Sequence, residues 1–179
     1  MTNATMPLAS LREQFRATST ASMPLAGIIL WTIAAVASVV VPPKTLGIAV
    51  AFGSGLIFPL ALLIDRLRGR QLMKGGAGNP VLANFMGGIV MIGLLWPLVI
   101  IAGLNNPGII VLGAAILLAL VWIPFGWSAD DPVGMQHAVG RCVAAYAAYL
   151  FMPRPWHLTA ICIVVIAAYL FSFARMRRD

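Results

Sequence analysis

Charge is what this chain has least of. Only 9% of its 179 residues are Asp, Glu, Lys or Arg, and only five are acidic. A soluble domain carries about 25% charged residues, so too few are present here to face water, and the class is integral membrane protein. Cysteine is equally sparse. Cys142 and Cys162 lie inside apolar runs with no short spacing between them, which argues against a disulfide framework or a zinc cluster and fits small buried hydrophobes. No phosphate loop, dinucleotide fingerprint or zinc-protease motif is present, and no metal or cofactor is expected. The net charge of +7 would suggest nucleic acid in a soluble chain. Here the basic residues cluster at the ends of apolar runs, so the expected partner is a bilayer with anionic headgroups, not nucleic acid.

What is present is hydrophobic length. Hydrophobic residues make up 61% of the chain, and a spanning helix needs about 20 mostly apolar residues. That ruler predicts an all-α bundle of six transmembrane helices over about 24–41, 45–64, 81–103, 107–125, 132–152 and 156–174. The breakers "VPPK", "GGAGNP", "NNPG", "ADDP" and "MPRP" separate them. Residues 1–22 form an N-terminal segment and 175–179 a basic tail. In the former, Leu8, Leu11 and Phe15 share one helical face, and Ser10 with Glu13 fits a capping box. A short interfacial helix is therefore expected before the bundle. The first apolar run exceeds the 7–15 residues of a signal-peptide core and is read as a mature helix.

Lys and Arg set the expected orientation. Arg12, Arg16, Arg66, Arg68, Arg70, Lys74, Arg175, Arg177 and Arg178 fall on one side, against Lys44 and Arg154 on the other. By the positive-inside rule both termini are cytoplasmic. Small residues spaced by four, at Gly47, Ala51 and Gly55, at Ala83 and Gly87, and at Ala144 and Ala148, let helices approach closely. The same faces suit a homo-oligomer.

"GLIFPL" and "GLLWPL" repeat almost the same six residues in the second and third spans. The echo joins neighbouring spans, so it does not match the halves of a duplicated transporter. Its physical content lies in the prolines. Each frees the carbonyl four residues earlier, which belongs to Gly55 for Pro59 and to Gly93 for Pro97. Pro124 frees that of Leu120 in the same way. Such acceptors need partners in hydrocarbon and are candidates to line a polar cavity, although kinks that serve packing alone would explain the same prolines.

The polar residues concentrate in "WSADDPVGMQHAVGR", Trp127 to Arg141. Asp130, Gly134, His137, Arg141, Ala145 and Ala148 recur every three or four residues, one stripe of a helix. Ser128, Asp130 and Asp131 are good N-cap residues and Pro132 suits a first turn, so the aspartates are accounted for by a helix start. Arg141 lies roughly 15 Å further along, near the midplane, where an arginine costs about 2.5–3.5 kcal/mol. Asp130 is too distant to pair with it. Asp65 and the freed carbonyls of Gly55, Gly93 and Leu120 are the candidate partners. His137, one turn nearer the cytoplasm, titrates near neutral pH when unperturbed. His157 follows "PRPW" at the opposite end and reads as an interfacial anchor, so no two-histidine metal site is expected.

Two enzyme patterns fall short. "FGSG" (Phe52 to Gly55) has Phe52 where a rhomboid protease has glycine, and Ser54 lacks a histidine at its depth. "DDPVGMQHAVGR" lacks the further aspartates of a CDP-alcohol phosphotransferase, which hold divalent metal. Taken together, "GLIFPL" and "WSADDPVGMQHAVGR" resemble an uncharacterised family of small bacterial multi-pass membrane proteins. That resemblance implies a bacterial cytoplasmic membrane and no activity. The expected function is transporter- or channel-like binding of a small anionic solute at Arg141 and His137, in an inward-open pocket made with the second and third spans. A membrane enzyme using Asp130, Asp131 and His137, or an accessory subunit without catalysis, are the alternatives.

Overall fold

The apolar runs, cut by proline and glycine, become nine helical segments in the computed structural model, which describes residues 6–18, 21–69 and 78–176. They are α1 (Leu8–Thr18), α2 (Ser22–Val40), α3 (Pro43–Gly55), α4 (Ile57–Leu67), α5 (Pro80–Gly103), α6 (Gly108–Leu120), α7 (Trp122–Ala129), α8 (Val133–Phe151) and α9 (His157–Arg175). No strand occurs among the described residues. Arg70, Lys74, Arg177 and Arg178 lie outside them, as does most of the expected basic tail.

Four stretches are long and apolar enough to cross a bilayer: α2, α5, α6 with α7, and α9. The α3–α4 pair passes the same test as one span bent by 50°, which makes five. The remaining expected span, the fifth in chain order, is α8 with 19 residues, but Gln136, His137 and Arg141 dilute its apolarity. Side-chain bonds nevertheless order all of them into a bundle with two ends. At one end Ser22 Oγ at the start of α2 donates to Asp65 near the end of α4. Asn79 Nδ2 donates to the Leu11 carbonyl of α1 at 2.9 Å there, and His137 on α8 meets Ser172 on α9. At the other end the Ser38 and Thr159 hydroxyls are 2.7 Å apart, and Asn106 Nδ2 donates to Tyr149 Oη at 2.9 Å. Helix α8 therefore runs beside α9 from one end to the other.

Proline explains the two broken helices. Pro59 removes an amide hydrogen and crowds the carbonyl of Gly55, and the backbone breaks at Leu56, one residue on. Pro124 acts on Leu120, and the break falls at Val121. Helix α5 carries the same motif at Pro97 yet continues through it. The difference lies upstream, where Gly53, Ser54 and Gly55 loosen α3 and Ser54 Oγ turns back to the Ala51 carbonyl at 2.7 Å. Met91 and Ile92 hold the positions of α5 that match Gly53 and Ser54.

Burial divides the helices by position. The core joins Trp31, Leu46, Val111, Ile161, Val165 and Tyr169 from α2, α3, α6 and α9. Helix α5 lies on the periphery: its Val90, Leu94, Leu98 and Ile101 are 60–75% exposed. Leucines and valines displayed on this scale would be a large aggregating patch in water and are the ordinary face of a helix in lipid. Of the small-residue faces, Gly47 packs against the Pro107 carbonyl and Ile110, and Ala148 is buried. Ala83, Gly87 and Gly55 face outward.

The N-terminal helix docks as its pattern suggests. Leu11 and Phe15 of α1 are buried against Val81, Ala129, Phe85 and Phe125, while Leu8 remains half exposed. The expected capping box does not form. The helix already starts at Leu8, and Pro7 supplies the carbonyl that accepts from Ser10 and Leu11, which places Ser10 inside the first turn.

Candidate functional site

The two aspartates and the two deep residues of "WSADDPVGMQHAVGR" separate in space. Residues up to Ala129 belong to α7, and Asp130 ends that helix in a left-handed conformation with φ 55°. An aspartate tolerates this better than most side chains. Asp130 therefore closes α7 where the sequence suggested that it opens α8. Its carboxylate pairs with Arg12 of α1 at 2.9 Å, while Arg12 also lies over the Trp127 ring. Asp131 takes the capping role: it is buried, and its Oδ1 accepts the Val133 amide at 2.9 Å. Ser128 lies inside α7 and donates to the Val81 carbonyl.

These partners set two different costs. Asp131→Ala is expected to lose about 1 kcal/mol through the orphaned helix-start amide. Asp130→Asn removes an exposed ion pair and should cost less than about 1 kcal/mol. Denaturant titration of the two variants checks the order, and an equal or reversed order would show that Asp131 does not cap.

Deeper in the bundle, Gly134, His137, Arg141, Ala145 and Ala148 are all buried, as one inward stripe requires. Arg141 is only 1% exposed. Its Nη1 is 3.3 Å from His137 Nε2, and His137 Nδ1 is 2.6 Å from Ser172 Oγ. A guanidinium can only donate, so Nε2 accepts, and the imidazole is the neutral tautomer with its proton on Nδ1, pointing at Ser172. The Trp122 ring stacks on His137 at 4.1 Å between centroids and holds the imidazole plane. The Arg141 guanidinium lies over the rings of Tyr169 at 5.0 Å and Trp31 at 5.6 Å, and the Tyr169 side chain interacts with it both electrostatically and as a hydrogen-bond partner. Gly27 makes this arrangement sterically feasible, since a Cβ there would sit 2.5 Å from Tyr169 Cζ.

Aromatic faces stabilise the cation, by about 0.5–2 kcal/mol each, but they accept no conventional hydrogen bond along its edge. Nε and Nη2 of Arg141 have no hydrogen-bond partner. No carboxylate pairs with Arg141 among the described residues, and the Arg12–Asp130 pair lies elsewhere, at the α7–α8 turn. A groove of about 360 Å³ opens between α8 and α9 and reaches Arg141 and His137. Gln136, Gly140, Ala144, Ala167 and Phe171 form its rim and walls.

The remaining expected residues lie elsewhere. Asp65 is buried on α4 against Ser22 at the α1 end of the bundle. Gly55 and Gly93 are exposed, with open space where a Cβ would stand, so neither joins Arg141. The groove runs along α8 and α9 and does not involve the second and third predicted spans. Ser54, the rhomboid-like serine, bonds its own helix. His157 is at the far end of α9, beside Tyr149. Among the described residues no three His, Cys, Asp or Glu side chains converge as metal ligands, and both cysteines are free thiols.

Sequence reasoning missed Ser172, Tyr169, Trp122 and Trp31. A signal existed for the first two: Leu158, Ile161, Val165, Tyr169 and Ser172 recur every three or four residues and lie on the buried face of α9. A tyrosine and a serine closing such a stripe are polar groups aimed at the core.

No curated protein and no solved structure matches the chain. A family match covers residues 8–178, nearly the whole sequence. The chain belongs to the Family of unknown function (DUF7010).

Proposed function

We propose that this is a six-span protein of the bacterial cytoplasmic membrane, of transporter or channel type, that binds an anionic group at Arg141. The observation that carries the reading is a buried guanidinium whose Nε and Nη2 lack hydrogen-bond partners, on a residue that also lines an open groove. A structural arginine in hydrocarbon normally saturates its donors with carbonyls or carboxylates. This one keeps a two-donor edge unused, and that edge matches the two oxygens of a carboxylate or another planar anion.

The topology rests on the two-ended bundle. Arg12, Arg16, Arg66, Arg68 and Arg175 gather at the α1 end, and Lys44 and Arg154 at the other. That asymmetry favours a cytoplasmic α1 end with both termini inside, its bases against anionic headgroups. Helix α8 is the sixth crossing, tolerated despite its polarity because His137 and Arg141 turn inward. The enzyme alternative draws less support: Asp130 is tied to Arg12, Asp131 to a helix start and His137 to Ser172.

Flux from proteoliposomes tests the proposal. Vesicles holding the full chain should release a trapped carboxylate such as acetate faster than empty vesicles, and Arg141→Leu should return the rate to background. Equal rates with wild type and Arg141→Leu would end the reading.

A further inference from the structure

The shape and lining of the groove narrow the anion. We infer that the Arg141 groove takes a long-chain carboxylate, a fatty-acid-like amphiphile that enters sideways from the bilayer, with its carboxylate on the Nε–Nη2 edge and its chain along α8 and α9. This inference rests on Arg141 being an anion site.

Three observations carry it. First, the groove is too apolar for water. Its volume of about 360 Å³ would hold roughly a dozen waters at about 30 Å³ each. A buried water needs two to four polar partners, and the polar lining consists of Gln136, His137 and Arg141. An occupant that is mostly hydrocarbon with one anionic end matches this wall, whereas a hydrated inorganic ion does not.

Second, the groove opens on the lipid-facing side of the helix pair. Gly140 and Ala167 are exposed, and a Cβ at Gly140 would meet nothing within 4 Å. Along α8 the lining also changes from Gln136 and His137 through Arg141 to Ala144, while the α9 side is apolar throughout. Gln136 and Phe171 lie toward the α1 end, Arg141 lies between, and Ala144 and Val164 lie deeper. A fatty acid in a leaflet has the same polarity, with its head toward the interface and its tail toward the midplane.

Third, a second copy of this chain cannot supply the anion. Its described carboxylates, Glu13, Asp65, Asp130 and Asp131, all sit on α1, at the end of α4 or in the α7–α8 turn, at the level of the α1 end. Arg141 is eight residues into α8, about 12 Å deeper. A phosphate headgroup at that depth would carry more charge into hydrocarbon than a single carboxylate does.

Thermal unfolding of the purified full chain in nanodiscs tests the inference, with palmitate and acetate as probes. Palmitate should stabilise wild type at concentrations at least about tenfold below those of acetate, and Arg141→Leu should lose both responses. Ala167→Leu and Gly140→Leu fill the exposed groove without touching Arg141. Each should weaken palmitate about tenfold or more while the acetate response stays, which also shows that the variant is folded. Acetate acting as tightly as palmitate, or palmitate unaffected by both groove-filling variants, would overturn the amphiphile and leave the anion site standing. A palmitate shift that survives Arg141→Leu, or no response of wild type to either probe, would remove both.

Discussion

Arg141→Leu is expected to fold, and to be as stable as the parent or more stable by about 1–2 kcal/mol. Placing an arginine at mid-span costs about 2.5–3.5 kcal/mol on insertion scales, and leucine gains about 0.3–0.6 kcal/mol at the same depth. Against that stand two aromatic contacts, worth about 0.5–2 kcal/mol each, and a bond to His137 worth about 1 kcal/mol. The aromatic rings of Trp31 and Tyr169 pack on leucine as readily as on a guanidinium, so part of that loss is recovered. Removing the arginine strands no carboxylate among the described residues, because none of them pairs with it. That is the condition under which deleting a buried charge is tolerated. The His137 Nε2 lone pair does lose its donor, which sets the upper limit of the gain. Equilibrium unfolding in mixed micelles measures the difference. A loss of more than about 2 kcal/mol would show that Arg141 pins the bundle together, and the unused Nε–Nη2 edge would then have no functional meaning.

The pairing of Arg141 with His137 was legible because it depends on one helix. Residues four apart share a face whatever that helix packs against, so the inward stripe from Gly134 to Ala148 follows from spacing alone. The partners on neighbouring helices, Ser172, Tyr169 and Trp31, depend on how α9 and α2 rotate against α8, which no single segment encodes. Gly55 and Gly93 show the limit from the other side. Proline chemistry tells which carbonyl is released but not which way it points around the helix axis, and both positions face outward. Asp130 and Asp131 were indistinguishable as helix-start residues. The left-handed turn that sends one to Arg12 and the other to Val133 is set by α7 reaching Ala129, and α7 extends that far because it packs on α1. Breakers in the sequence mark where the helices end, but the described residues hold four apolar spans, or five with the bent α3–α4 pair, against the six expected. Helix α8 escapes a test of apolarity for the same reason that it interests us, its inward polar residues.

Gly134→Ala should be the most damaging single methyl in the molecule, costing about 3 kcal/mol or more. A Cβ at Gly134 would stand 2.3 Å from the Trp122 carbonyl and 2.5 Å from the Gly126 Cα. Both are backbone atoms, so no rotamer change relieves the clash and α7 must move away from α8. The consequence reaches the site, since Trp122 stacks on His137, and His137 orients the Nη1 side of Arg141. Displacing α7 therefore loosens the imidazole, and anion binding should weaken together with stability. Gly140→Ala, six residues along the same helix, is the control. Nothing lies within 4 Å of its added methyl, and replacing a mid-helix glycine by alanine gains about 0.5–1 kcal/mol. If the two substitutions cost the same in unfolding experiments, the α7–α8 crossing is looser than its geometry requires, and Trp122 cannot be what fixes His137.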